Sequence, residues 1–138
     1  MTTPFLPVLD TRTKSEAGIE VTIRRPDNGE PVTTRGVPLV LVVKGMDSRA
    51  YSEAVAQASE ARADVAAKGQ KLDVDAFRAR ILAACTIGWK GVFDRDGNPV
   101  PFSTEIAEQM FLQLPVLAEQ VDGAIGDRSR FLLALSND

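Results

Sequence analysis

Asp94, Asp96, Asn98 and Glu105 stand at the spacing of positions 1, 3, 5 and 12 of a calcium-binding EF-hand loop. The sixth position, where such a loop needs glycine for its sharp turn, is Pro99, which cannot adopt a positive φ, and Gly97 comes two residues early. The flanks Val92-Phe93 and Val100–Phe102 read as extended rather than helical. This pattern therefore predicts a hairpin turn followed by a helix cap, and no metal site. The chain has no histidine, which removes histidine-based triads and most catalytic zinc sites. Glu105 and Glu108 form a carboxylate pair, but one on the first turn of a helix, where solvation is the simpler role. Neither GxGxxG nor GxxxxGK[ST] occurs, so no phosphate loop or nucleotide cofactor is expected. Asp127-Arg128-Ser129-Arg130 reads as a solvated helix face with local pairing. The expectation is a chain with no catalytic residues, no cofactor and no enzymatic activity.

The elements around these residues begin with the stretch Ala83–Phe102, which holds the only Trp and the only Cys. Trp89, between Gly88 and Gly91, follows an apolar helical run. Its ring is expected to turn inward where that helix ends, with its one N–H finding an acceptor. Asp96 and Gly97 then supply the polar turn between two short extended arms. Trp89, Gly88, Gly91, Asp96 and Gly97 thus form an expected structural hub. Cys85, among Ile81, Leu82 and Ile87, reads as a small buried hydrophobe; with one cysteine no internal disulfide is possible.

Upstream, residues 1–18 mix prolines with the apolar Phe5, Leu6, Val8 and Leu9 and read as a flexible N-terminal arm. Ile19, Val21 and Ile23 alternate with Glu20, Thr22 and Arg24 as a half-buried strand, and Pro26-Asp27-Asn28-Gly29 is a turn. A weak extended segment, Pro31–Arg35, leads to the most apolar strand, Val37–Lys44, the expected centre of a sheet. Asp47 or Ser48 caps a helix running to about Ala67, with a stripe of Ala50, Ala54, Ala58, Ala61 and Val65 that admits a close neighbour while burying little itself. A second helix, from Asp73 or Asp75 to Thr86, places Phe77, Ile81, Leu82 and Cys85 inward. Ser103-Thr104 followed by Glu105 starts a third, with Ile106, Met110 and Phe111 on its apolar side. Pro115 breaks that helix or opens the next. The last helix carries Leu117, Val121, Ile125, Leu132 and Leu135. The reading is a single α+β domain over 19–135. It comprises a small N-terminal antiparallel sheet or hairpin, a bundle of about four helices and a second short hairpin after Trp89, with 136–138 frayed.

At 138 residues the chain suits one core, and its net charge of −3 argues against a nucleic-acid partner. The longest apolar run, Val37–Val43, is too short to span a membrane and contains Pro38. No secretory leader is visible at the N-terminus.

Several of these segments together resemble a known family. Pro26–Pro31 (PDNGEP), Lys44–Tyr51 (KGMDSRAY) with its Ala-rich helix, Ala84–Val92 (ACTIGWKGV), Asp96–Ser103 (DGNPVPFS), Gln120-Val121 and Asp127–Leu132 (DRSRFL) are similar to the tail assembly chaperones of long-tailed, siphovirus-like bacteriophages. The resemblance spans roughly Ile19 to Leu132. It implies a protein of the host cytoplasm that holds the tape measure protein soluble, helps recruit tail tube subunits and is absent from the finished particle. A small α+β domain, a helix whose alanine stripe admits a neighbour and the apolar residues of the N-terminal arm suit a homo-oligomer offering a groove to amphipathic helices. Ala50, Ala54, Ala58, Ala61 and Val65 with Met110, Phe111 and Leu114 are candidates for that groove, and equally candidates for plain core. The alternative is a structural virion protein, a tail tube or head–tail connector component, whose residues Phe5–Leu9 make contacts between subunits.

Overall fold

A computed structural model describes residues 6–135. A single 3-10 turn, Pro7–Leu9, precedes helix α1, Thr11–Ala17, which Asp10 caps by accepting from the Thr13 amide at 3.1 Å. The stretch expected as an arm is thus helical from Thr11 onward. It is docked, because Ser15 is fully buried and its carbonyl accepts from the Gly45 amide at 3.1 Å. Phe5, part of the expected apolar patch, and residues 136–138 lie outside the described residues.

Strand β1, Ile19–Thr22, has the predicted alternation, with Ile19, Val21 and Ile23 all buried. The Asn28-Gly29 turn folds the chain back through β2, Thr33–Thr34, and β3, Val37–Pro38, which pair as a two-stranded ladder. The apolar run expected as one strand is divided at Leu39, where the chain changes partner: the Leu39 amide donates to the Val32 carbonyl and its carbonyl accepts from the Ile23 amide. Its second half is β4, Val40–Val43. As the hydropathy predicts, β4 is the central strand, with Leu41 and Val43 completely buried.

Ser48 caps helix α2, Arg49–Ala67, accepting from the Tyr51 amide at 3.2 Å. Asp73 does the same for α3, Val74–Cys85, accepting from Ala76 at 3.1 Å. The next element departs from the sequence reading. Thr86–Lys90 is a third strand, β5, antiparallel to β4, so the sheet order is β1-β4-β5 and the sheet is not purely N-terminal. Trp89, expected just past the end of a helix, therefore lies on a strand, opposite Leu41. The helical period of Ile81–Cys85 hides the change; pairing with β4, more than forty residues away, decides it.

Ser103 caps α4, Thr104–Gln113, and Pro115 is the first residue of α5, Pro115–Ile125. The expected last helix is two. The chain leaves α5 at Gly126, and Asp127 accepts from the Ser129 amide at 3.1 Å and its hydroxyl at 2.6 Å, which starts α6, Arg128–Leu135. Six helices are therefore described where about four were expected. The fold is α+β: the inner face of the sheet packs Val21, Leu41 and Val43 into one cluster with Leu82, Phe111 and Val121. α2 lies on α3, α3 on α4, and α1 beside α6.

Candidate functional site

Of the residues that imitate a calcium loop, Asp94 is committed to shaping the turn. Asp94 Oδ1 accepts from the amides of both Asp96 and Asn98, each at 2.9 Å, and Gly97 completes the turn at φ +83°. Phe93 and Pro99 face each other across it as a single antiparallel bridge. Among the described residues no group of three or more His, Cys, Asp or Glu is placed to hold a metal ion. Cys85 is completely buried, and burial pushes its thiol up to about 11, so at neutral pH it remains a protonated, apolar-packed group.

Of the expected hub residues, Trp89 makes the bridging contacts. Its indole N–H donates to the Val100 carbonyl at 2.8 Å, and its ring meets Phe102 edge-on at 4.9 Å. The strand and the arm beyond the turn are thereby joined through one side chain. Gly91 follows at φ +83°, where a Cβ would run into the Pro38 backbone. Gly97 lies against the Arg35 guanidinium, while Gly88 has open space around it.

The alanine stripe divides. Ala54 and Ala58 are buried, with α2 packed on α3, and Ala50 is half-buried. Ala61 and Val65, one and two turns further on, instead line a groove of about 190 Å³ with Leu72, Ala76 and Phe77, walled by Arg80 and by Glu108 of α4. Phe111 is core, Met110 packs against the core, and Leu114 is 50 % exposed. The eight residues are thus not one surface: Ala61 and Val65 belong to the groove and Leu114 to a separate elbow between α4 and α5.

At that elbow Leu112 and Val116 are also exposed, at 42 % and 41 %. No lysine or arginine occurs between Asp96 and Asp127. Glu105 lies two helical turns before Leu112 on the same side of α4, and Glu119 and Asp122 follow Val116 along α5. None of these three carboxylates forms an ion pair among the described residues.

Two long-range contacts complete the frame. Gln120 of α5 clamps Arg24 just beyond β1, its Nε2 donating to the Arg24 carbonyl at 2.7 Å and its Oε1 accepting from the Arg24 amide at 2.9 Å. Asp47, next to the α2 cap, takes a two-pronged bond from Arg128 of α6. Arg128 thus pairs across the molecule and not locally along its own helix. The arginine's hydrogen bonds, aided by a weaker one from Thr11, hold the Asp47 carboxyl at about 2 although partial burial opposes this.

Among the described residues no helix is long and apolar enough to cross a membrane. No curated protein and no solved structure matches the chain. Residues 46–126 match the YdaY prophage protein family. That span runs from the turn before α2 to the end of α5 and takes in the hub, the groove and the elbow. With more than half of its length matched, this phage-derived chain belongs to the YdaY prophage protein family.

Proposed function

We propose that the protein is a tail assembly chaperone that binds the tape measure protein in the host cytoplasm and helps recruit tail tube subunits around it. The observation that carries this reading is the α4–α5 elbow. Leu112, Leu114 and Val116 present apolar side chains to solvent, Glu105, Glu119 and Asp122 lie along the same two helices, and Arg78 of α3 stands beside Leu112 and Arg24 and Arg130 beside Val116 and Glu119. An amphipathic helix laid along the elbow would cover the apolar surface and find charges of both signs at its margins. Phage origin and the motif resemblance support the same role. The chain acts by binding and not by catalysis, and uses no cofactor.

Co-expression with the tape measure protein encoded beside it, followed by pull-down and sizing, tests this directly. The expected result is a tape measure protein insoluble alone and soluble in a co-eluting complex, and a Leu114→Asp/Leu112→Asp variant that folds but no longer retains it. A tape measure protein that stays insoluble in the presence of this chain rejects the chaperone role.

A second reading has one observation of its own. Leu6, Val8 and Leu9 are all more than 60 % exposed on the turn before α1, a surface suited to contacts between subunits of a particle. Detection of the chain in purified virions would favour a tail tube or connector component.

A further inference from the structure

The groove between α2 and α3 holds two opposite charges that the chain itself leaves unpaired. Arg80 of α3 and Glu108 of α4 both stand on its walls. Neither makes an ion pair or a side-chain hydrogen bond among the described residues, with each other or with any other group. The third charge of the lining, Asp73, is occupied in capping α3. Between these walls the floor is apolar, formed by Ala61, Val65 and Phe77. At the rim, next in the chain to Asp73, Val74 is 65 % exposed on the first turn of α3. One face therefore carries an apolar slot, an apolar knob, an unpaired cation and an unpaired anion.

Such a face is complementary to itself. In a twofold dimer every contact occurs twice with the roles exchanged, so a surface bearing both members of each complementary pair closes without any further partner. We propose that the chain forms a homodimer through this groove, with Val74 entering the slot of the second copy and Arg80 pairing with the partner's Glu108, reciprocally. The charge pattern selects this occupant. The groove is walled by both signs, each left without a partner, which a second copy of the same residues matches with the roles exchanged. The inference does not rest on the chaperone reading, whose surface is the elbow.

Charge reversal tests it through light scattering across a dilution series. Wild type is expected to dimerise. Arg80→Glu alone and Glu108→Arg alone each place like charges opposite one another twice, and should weaken dimerisation at least about tenfold. Mixing the two variants restores both pairs, because each variant's homodimer is repelled while the heterodimer is matched; the mixture should dimerise as tightly as wild type, which also shows that both variants are folded. A wild-type chain that remains monomeric at every concentration overturns the proposal. So do single variants that dimerise normally, and so does a mixture no tighter than its components. A monomeric wild type whose binding to the tape measure protein is abolished by Arg80→Glu assigns the groove to that partner instead, and also overturns the dimer.

Discussion

Arg128 binds Asp47 through two parallel hydrogen bonds, Nε to Oδ2 at 2.7 Å and Nη2 to Oδ1 at 2.8 Å, across 81 residues of chain. The contact fastens the start of α6 to the turn that begins α2. Asp47 keeps only 20 % of its side chain in solvent while Arg128 keeps 54 %, so the pair is partly screened. The folded carboxyl, at about 2, lies below its unfolded value, so its contribution is complete above the unfolded pKa and is lost as the pH falls through about 2. Asp47→Asn should therefore cost about 1 kcal/mol near neutral pH, lowering Tm by several degrees. Melting curves of both proteins from pH 7 down should converge toward pH 2. A gap that stays constant with pH would show that the charge is not what matters.

Gln120 supplies, from a helix, the donor and acceptor that a neighbouring strand would offer Arg24. A carboxylate at this position accepts from the Arg24 amide but cannot donate to its carbonyl. Gln120→Glu should cost about 1 kcal/mol through that unpaired group. Hydrogen exchange at the Arg24 amide should stay slow in Gln120→Glu and become fast in Gln120→Ala. Equal protection in all three proteins would remove the clamp from the account.

Gly45, just past β4, lies against both α1 and α6. A Cβ there would overlap the Ser15 hydroxyl and the ring of Phe131, both fully buried and unable to withdraw. Gly45→Ala should cost about 1–3 kcal/mol by overpacking. Protease cleavage within α6 should appear before the rest of the domain unfolds. Intact α6 and an unchanged Tm would mean that the helix accommodates the methyl by sliding.

Features decided within a few residues were legible in the sequence. Helix starts were legible to within a residue or two, from side-chain oxygens and a missing N–H acting over one helical turn; of the alternatives that the sequence left open, the structure selects Ser48 over Asp47, Asp73 over Asp75, and Pro115 as the opening of α5. The central place of β4 follows from its unbroken apolar character. Thr86–Lys90 was not legible as a strand, because its strand character depends on the distant partner β4. Local charge pattern likewise assigns Arg128 to its own helix and cannot anticipate Asp47. The alanine stripe was correctly spaced for a helix face, but only the position of α3 separates buried Ala54 and Ala58 from Ala61 and Val65 in the groove. Leu114 lost its expected neighbours for the same reason: Pro115 turns the chain there, so Leu114 points out from an elbow while Phe111, less than a turn earlier, joins the core.

Trp89 and Gly91 stabilise the second half of the domain in different ways, and substitution separates them. Trp89→Phe keeps an aromatic ring near Phe102 but removes the donor to the Val100 carbonyl. The cost should be about 1 kcal/mol, that of one half-buried hydrogen bond. Gly91→Ala adds a single methyl, yet at φ +83° and directly against the Pro38 carbonyl, which belongs to the backbone and cannot rotate away. Left-handed strain and the clash combine, so about 2–4 kcal/mol is expected. Circular dichroism melts should rank wild type above Trp89→Phe and Trp89→Phe well above Gly91→Ala. The reverse order would place the anchoring of the Asp94–Asn98 turn in the indole hydrogen bond and not in the close approach of the two backbones.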